Sequence, residues 1–133
     1  MKRTFELNKL VRDKIVESTK TQGGEVKYKK LGDKKLTEAL VAKLVEEAKE
    51  LKGTELSIEE LADLKEIIEQ IAKNLKITGK ELATAQAKKR SKNGGFTKGH
   101  FIETLTLPAD NKWAKYYASD PKRFPEIMNR SKK

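Results

Sequence analysis

Two pairs of acids, Glu47 with Glu50 and Glu60 with Asp63, are the side chains of this 133-residue sequence best placed to do chemistry. Each pair is spaced three apart, which puts both members on one face of a helix. Leu36, Leu40, Leu44 and Leu51 mark one apolar stripe, and Glu47 lies directly in it. Gly53 stops that helix, and Ser57-Ile58-Glu59-Glu60 has the form of a capping box that opens the next. A connection this short joins antiparallel neighbours. At a rise of about 1.5 Å per residue, Glu50 and Glu47 lie roughly 3 and 8 Å below the end of the first helix. Glu60 and Asp63 lie roughly 5 and 9 Å below the start of the second. Glu50 is therefore expected opposite Glu60, and Glu47 opposite Asp63. Four carboxylates on partly apolar faces repel one another and resist desolvation, so positive charge must join them. A lysine is one source. An all-oxygen set of four also suits a hard cation, Mg²⁺ or Mn²⁺. The competing reading of Glu60 is local, as the partner in its capping box alone, and Glu46, Glu55, Glu59 and Glu66 are read as solvated helix residues.

The elements that hold these acids are read from hydrophobic spacing. Leu7, Leu10, Val11 and Ile15 predict a helix over 7–20, ended by Gly23-Gly24. The hairpin follows, its second helix carrying Leu61, Leu64, Ile68, Ile71 and Leu75 as the apolar face. Thr78-Gly79-Lys80-Glu81 starts a further helix that runs to about Lys92, where Asn93-Gly94-Gly95 breaks it. Alternation in 25–31 and 100–107 admits two short strands that pair with each other. The fold class is mainly α, an antiparallel helical bundle around an acidic hairpin. Residues 1–107 form its body. Residues 108–133 form a basic, aromatic extension packed on the same domain, with Trp113, Tyr116 and Tyr117 docking it.

Totals narrow the options further. A chain of this length supports one modest core. No apolar run reaches membrane-spanning length, and the N-terminal stretch lacks the apolar core of a secretory signal. Cysteine is absent, so disulfide and thiolate chemistry are excluded, and a cytoplasmic setting is expected. A single histidine, His100, leaves no His-rich zinc site. The net charge of +10 is unevenly spread: residues 1–35 carry +6, residues 36–87 carry −4, and residues 88–133 carry +8. An acidic centre between basic arms fits an anionic metal cage beside groups that hold phosphate, as well as a soluble helix with solvated tails.

Three segments carry a family resemblance: LNKLVRDKI (7–15), KLVEEAKEL with EELADLKEII (43–51 and 59–68), and AKKRSKNGGFTKG (87–99). Together they resemble the MazG-type all-α nucleotide pyrophosphohydrolases, and within them the house-cleaning, phosphoribosyl-ATP pyrophosphohydrolase-like group. The resemblance implies a homo-oligomeric helical bundle that cuts nucleoside triphosphates, including non-standard ones, to monophosphate and pyrophosphate. Carried over by position, Glu47, Glu50, Glu60 and Asp63 hold Mg²⁺. Lys9, Arg12 and Lys14 meet phosphates, as do Lys89 and Lys92. Phe96 either stacks on the base or packs its turn. Two departures stand out: only nine residues separate the two acidic motifs, and Asn93 stands where relatives often have arginine. Of the four acids, Glu47 has the most apolar setting and is the choice for general base.

Two other functions compete. A non-enzymatic nucleic-acid-binding protein would use the basic arms and the lysine-aromatic run KWAKYYASDPKRF on single strands. A phosphoribosyl-ATP pyrophosphohydrolase would use the same acids on a different nucleotide.

Overall fold

In the computed structural model, which describes residues 1–53 and 56–128, the chain is all-α. Five helices follow one another: α1 (Ile15–Thr21), α2 (Asp33–Gly53), α3 (Ile58–Asn74), α4 (Gly79–Asn93) and α5 (Lys112–Ala118). The chain divides into two compact units, Met1–Gly94 and Gly95–Lys133.

In the first unit α2 and α3 pack along each other as the expected hairpin. Leu40 of α2 and Ile67 and Ala72 of α3 are its buried core among the described residues. Leu44, Leu51, Leu64 and Ile71 are half-buried beside them. Asn74 Nδ2 of α3 donates to Thr37 Oγ1 of α2 at 3.4 Å, a polar link between the helices. Ser57 caps α3 as anticipated, its Oγ accepting from the Glu60 N–H at 3.3 Å. Thr78 and Glu81 form the complete capping box of α4. At the far end of α3, Lys76 adopts the left-handed conformation (φ 64°) and the Ile77 N–H reaches back to the Ala72 carbonyl at 2.8 Å. That is a Schellman ending with lysine where glycine is usual.

Three expectations are corrected. The helix predicted over 7–20 forms only from Ile15, because Asn8 takes a left-handed φ of 48° and the segment before α1 stretches across the hairpin instead. Its end is as expected: Gly23 has a φ of 86°, and a Cβ on Gly24 would lie 2.7 Å from Thr19 Cγ2. Residues 25–31 and 100–107 form no strand. Alternation supplies a face but not a pairing edge, and a lone strand has no hydrogen-bonded neighbour to hold it. Finally, Leu61, Ile68 and Leu75 of α3 are exposed, because the face turned to α2 centres on Ile67.

In the second unit, Asn111 caps α5 by accepting from the Trp113 N–H at 2.8 Å. Tyr116 and Tyr117 stack edge to face at 5.3 Å, and Tyr117 meets Phe124 at 4.9 Å in the same manner. Trp113 joins through Tyr116 at 5.7 Å. The aromatic side chains expected to dock the tail thus pack on one another inside their own unit.

Candidate functional site

The loop end of the hairpin gathers carboxylates from the last turns of α2. One oxygen from each of Glu46, Glu47 and Glu50 lies within 4.8 Å of the other two. Positions 46 and 50 are four apart and 47 and 50 three apart, so the helix itself places all three on adjoining faces. Glu47 is the most enclosed, its side chain only 19% exposed, because it replaces a leucine in the stripe against α3. Burial pushes its carboxyl above the ordinary glutamate range, and the Glu50 carboxylate pushes the same way. Lys43 Nζ, 3.7 Å away, opposes them, while Asp63 adds a further upward push from α3. Glu47 and Asp63 therefore sense each other across the hairpin, as the matching of levels requires.

Two of the anticipated ligands stand apart from the tight group. Asp63 Oδ1 accepts from Arg12 Nη2 at 2.6 Å. Glu60 is half-buried at the start of α3, outside the group of three. Glu46 takes the place beside Glu47 and Glu50. The sequence reading set it aside as a solvated residue, yet the signal was present: an acid four residues before Glu50 shares its helix face.

The N-terminal segment brings cations to the same place. Lys9 Nζ lies 3.4 Å from Glu46, and Arg12 holds Asp63, so two of the three predicted phosphate-binding residues lean on the acids. Lys14 instead sits at the N-cap of α1. A small hollow of about 140 Å³ lies between this segment and α2, lined by Asn8, Lys9, Leu10, Ala39, Lys43 and Glu46 among others. A wider open concavity of about 450 Å³ borders Glu46 and Glu50. Lys89 and Lys92 are exposed on the last turns of α4. Phe96 is fully exposed in the second unit.

The donor chemistry suits a hard divalent cation. With ligand oxygens within 4.8 Å of one another, Glu46, Glu47 and Glu50 could turn toward one ion. The arms of Lys9 and Arg12 are more than half exposed, and ion pairs of that kind are worth about 1 kcal/mol or less. They can exchange a carboxylate for a phosphate oxygen at small cost. Compared with protein families, curated proteins and solved structures, this chain matches none.

Proposed function

We propose that this chain is a Mg²⁺-dependent nucleotide pyrophosphohydrolase of the cytoplasm, cleaving nucleoside triphosphates to monophosphate and pyrophosphate. The observation that carries the reading is the carboxylate group at the end of α2, with Asp63 across from it and the exposed cations Lys9 and Arg12 paired to Glu46 and Asp63. Glu46, Glu47 and Glu50 would hold the ion, with Asp63 and Glu60 joining from α3. Mn²⁺ suits the same oxygens. When bound, the ion neutralises phosphate charge and acidifies a water.

The chain's own residues supply the remaining work. Lys9 and Arg12 leave their carboxylate partners for phosphate oxygens, which places positive charge where the leaving pyrophosphate develops its own. Glu47, its carboxyl raised above the ordinary glutamate range by burial and the neighbouring Glu50, would take the proton of the attacking water. The bond that forms joins that water oxygen to the α-phosphorus. The bond that breaks joins the α-phosphorus to the bridging oxygen, and pyrophosphate leaves. Lys14, Lys89 and Lys92 would draw the polyanion in from further out.

The test is a panel of ordinary and modified nucleoside triphosphates, and phosphoribosyl-ATP, each with and without Mg²⁺. Pyrophosphate with monophosphate is the expected product pair, and it should require the metal. Glu47→Gln and Glu50→Gln should each lower turnover by at least a hundredfold while far-ultraviolet circular dichroism stays unchanged. Undiminished turnover in both variants would refute the assignment. Steeply salt-dependent binding to single-stranded nucleic acid, with no hydrolysis of any nucleotide, would replace it with the nucleic-acid reading.

A further inference from the structure

The hollow of about 140 Å³ between the N-terminal segment and α2 has no part in the proposed reaction. Ala39, Ala42, Lys43 and Glu46 line it from α2; spaced three and four apart, they form one face of that helix. Asn8, Lys9 and Leu10 line it from the N-terminal segment. The lining is therefore part apolar, from Leu10 and the two alanines, and part polar, from Asn8 and the two lysines. Asn8 holds a left-handed φ of 48°, a strained conformation of the kind that gathers at binding sites. Its side-chain amide has no hydrogen-bond partner among the described residues, so its donor and acceptor groups are both open to a ligand.

Size limits what fits. A protein cavity of about 150 Å³ takes up benzene, a single six-membered ring. The hollow has room for one such ring and not for two fused ones. Its position also matches a nucleotide. Glu46 lines the hollow and belongs to the acidic group as well. The midpoint of residues 39–46 lies about 5.5 residues before the midpoint of residues 46–50, or about 8 Å along the axis. In a nucleotide six bonds join the base nitrogen to the α-phosphorus. Extended, six bonds reach about 7 Å, and half the width of the ring supplies the rest.

We propose that this hollow receives the base of the substrate and admits one six-membered ring, so that pyrimidine nucleoside triphosphates are cleaved in preference to purine ones. The inference rests on the enzymatic reading for the place of the phosphates and goes beyond it in naming the base. A pyrimidine edge sets a donor beside an acceptor, in one order in uracil and in the reverse order in cytosine. The Asn8 amide carries both groups and can turn over to suit either. A purine that put its six-membered ring in the hollow would carry its ribose on the second ring. That moves the α-phosphorus outward by about a bond length or more, and a misplacement of about 1 Å costs about a hundredfold in rate. Phosphoribosyl-ATP, a purine nucleotide, is then a poor substrate.

The experiment has a binding arm and a hydrolysis arm, both on the full chain with Mg²⁺. In ¹⁵N-labelled protein, millimolar uridine or cytidine 5′-monophosphate should shift the backbone amide of Ala39 and the side-chain amide of Asn8. Adenosine and guanosine 5′-monophosphates should not, nor should ribose 5-phosphate, which controls for the phosphate alone. Asn8→Gly keeps the left-handed backbone and removes the amide, and Ala39→Leu fills the hollow. Each should weaken pyrimidine binding at least tenfold. In hydrolysis, kcat/KM for uridine and cytidine triphosphates should exceed that for the purine triphosphates by about a hundredfold, and Ala39→Leu should cut that ratio below ten. Equal shifts from purine and pyrimidine monophosphates, or no shift from either, would overturn the proposal. So would Mg²⁺-dependent cleavage that ignores the base, although the enzymatic reading would then stand. Pyrimidine-selective shifts with no cleavage of any triphosphate would keep the hollow as a base site and end the enzymatic reading.

Discussion

Glu47 is held in a setting that costs stability while it stays ionised. Burial and the Glu50 and Asp63 charges raise its folded-state pKa above that of a free glutamate, about 4.3. The folded state therefore prefers the protonated form. The penalty is absent below the unfolded pKa and grows as the pH rises through that value to the raised one. It is fully present once the pH stands above the raised value. In Mg²⁺-free solution Glu47→Gln should accordingly raise the melting temperature at pH 7 and leave it nearly unchanged at pH 4. Equal shifts at both pH values would show that packing, not charge, is responsible. If the proposed ion binds here, adding Mg²⁺ should recover stability in the wild type more than in the glutamine variant. Lys43 already offsets part of the repulsion, so the effect is a balance rather than a single bad contact.

The elements carry their own points of strain. α3 ends on a lysine in left-handed conformation, which costs an L-residue about 1–2 kcal/mol relative to glycine in the same place. Glycine gives back part of this through its freer unfolded chain. Lys76→Gly should therefore raise stability by up to about 1 kcal/mol, read from a urea midpoint at unchanged slope. A lower midpoint would mean that the lysine side chain has a compensating contact. The starts of the helices tell the opposite story, since Ser57 and Thr78 cap α3 and α4 through side-chain oxygens that the sequence advertises openly. A cap is a matter of three or four neighbouring residues, and local chemistry decides it. The region before α1 is decided otherwise. Residues 7–14 have the apolar spacing of a helix, yet Lys9 and Arg12 reach acids 37 and 51 positions away in the chain.

For the whole molecule, the thin core is the governing fact. Among the described residues Leu40, Ile67 and Ala72 are the buried apolar side chains, while a second stripe of valine, leucine and isoleucine faces outward. If the homo-oligomer that the resemblance implies covers that stripe, folding and association are one event, and the melting temperature should rise with protein concentration. A concentration-independent melting temperature across a hundredfold range would argue against it. No helix among the described residues is long and apolar enough to cross a membrane, so the outward stripe is too short and too interrupted for that use.

Sequence by itself determined α2, α3 and α4, the caps of α3 and α4, and the acidic end of the hairpin. All of these depend on spacings of three and four residues, which an α-helix converts directly into shared faces. Which acids come together was decided partly by spacing along one helix and partly by the tertiary structure. Glu46 joins Glu47 and Glu50 because one helix presents all three, whereas Asp63 is drawn to Arg12, a partner that no local spacing encodes. The same holds for the two apolar stripes: periodicity marks both, but only the packing of α2 on α3 shows which is spent inside the hairpin and which is left facing out. The physical reason is that spacing fixes directions around a single axis, while contacts between axes depend on where distant segments are brought to rest.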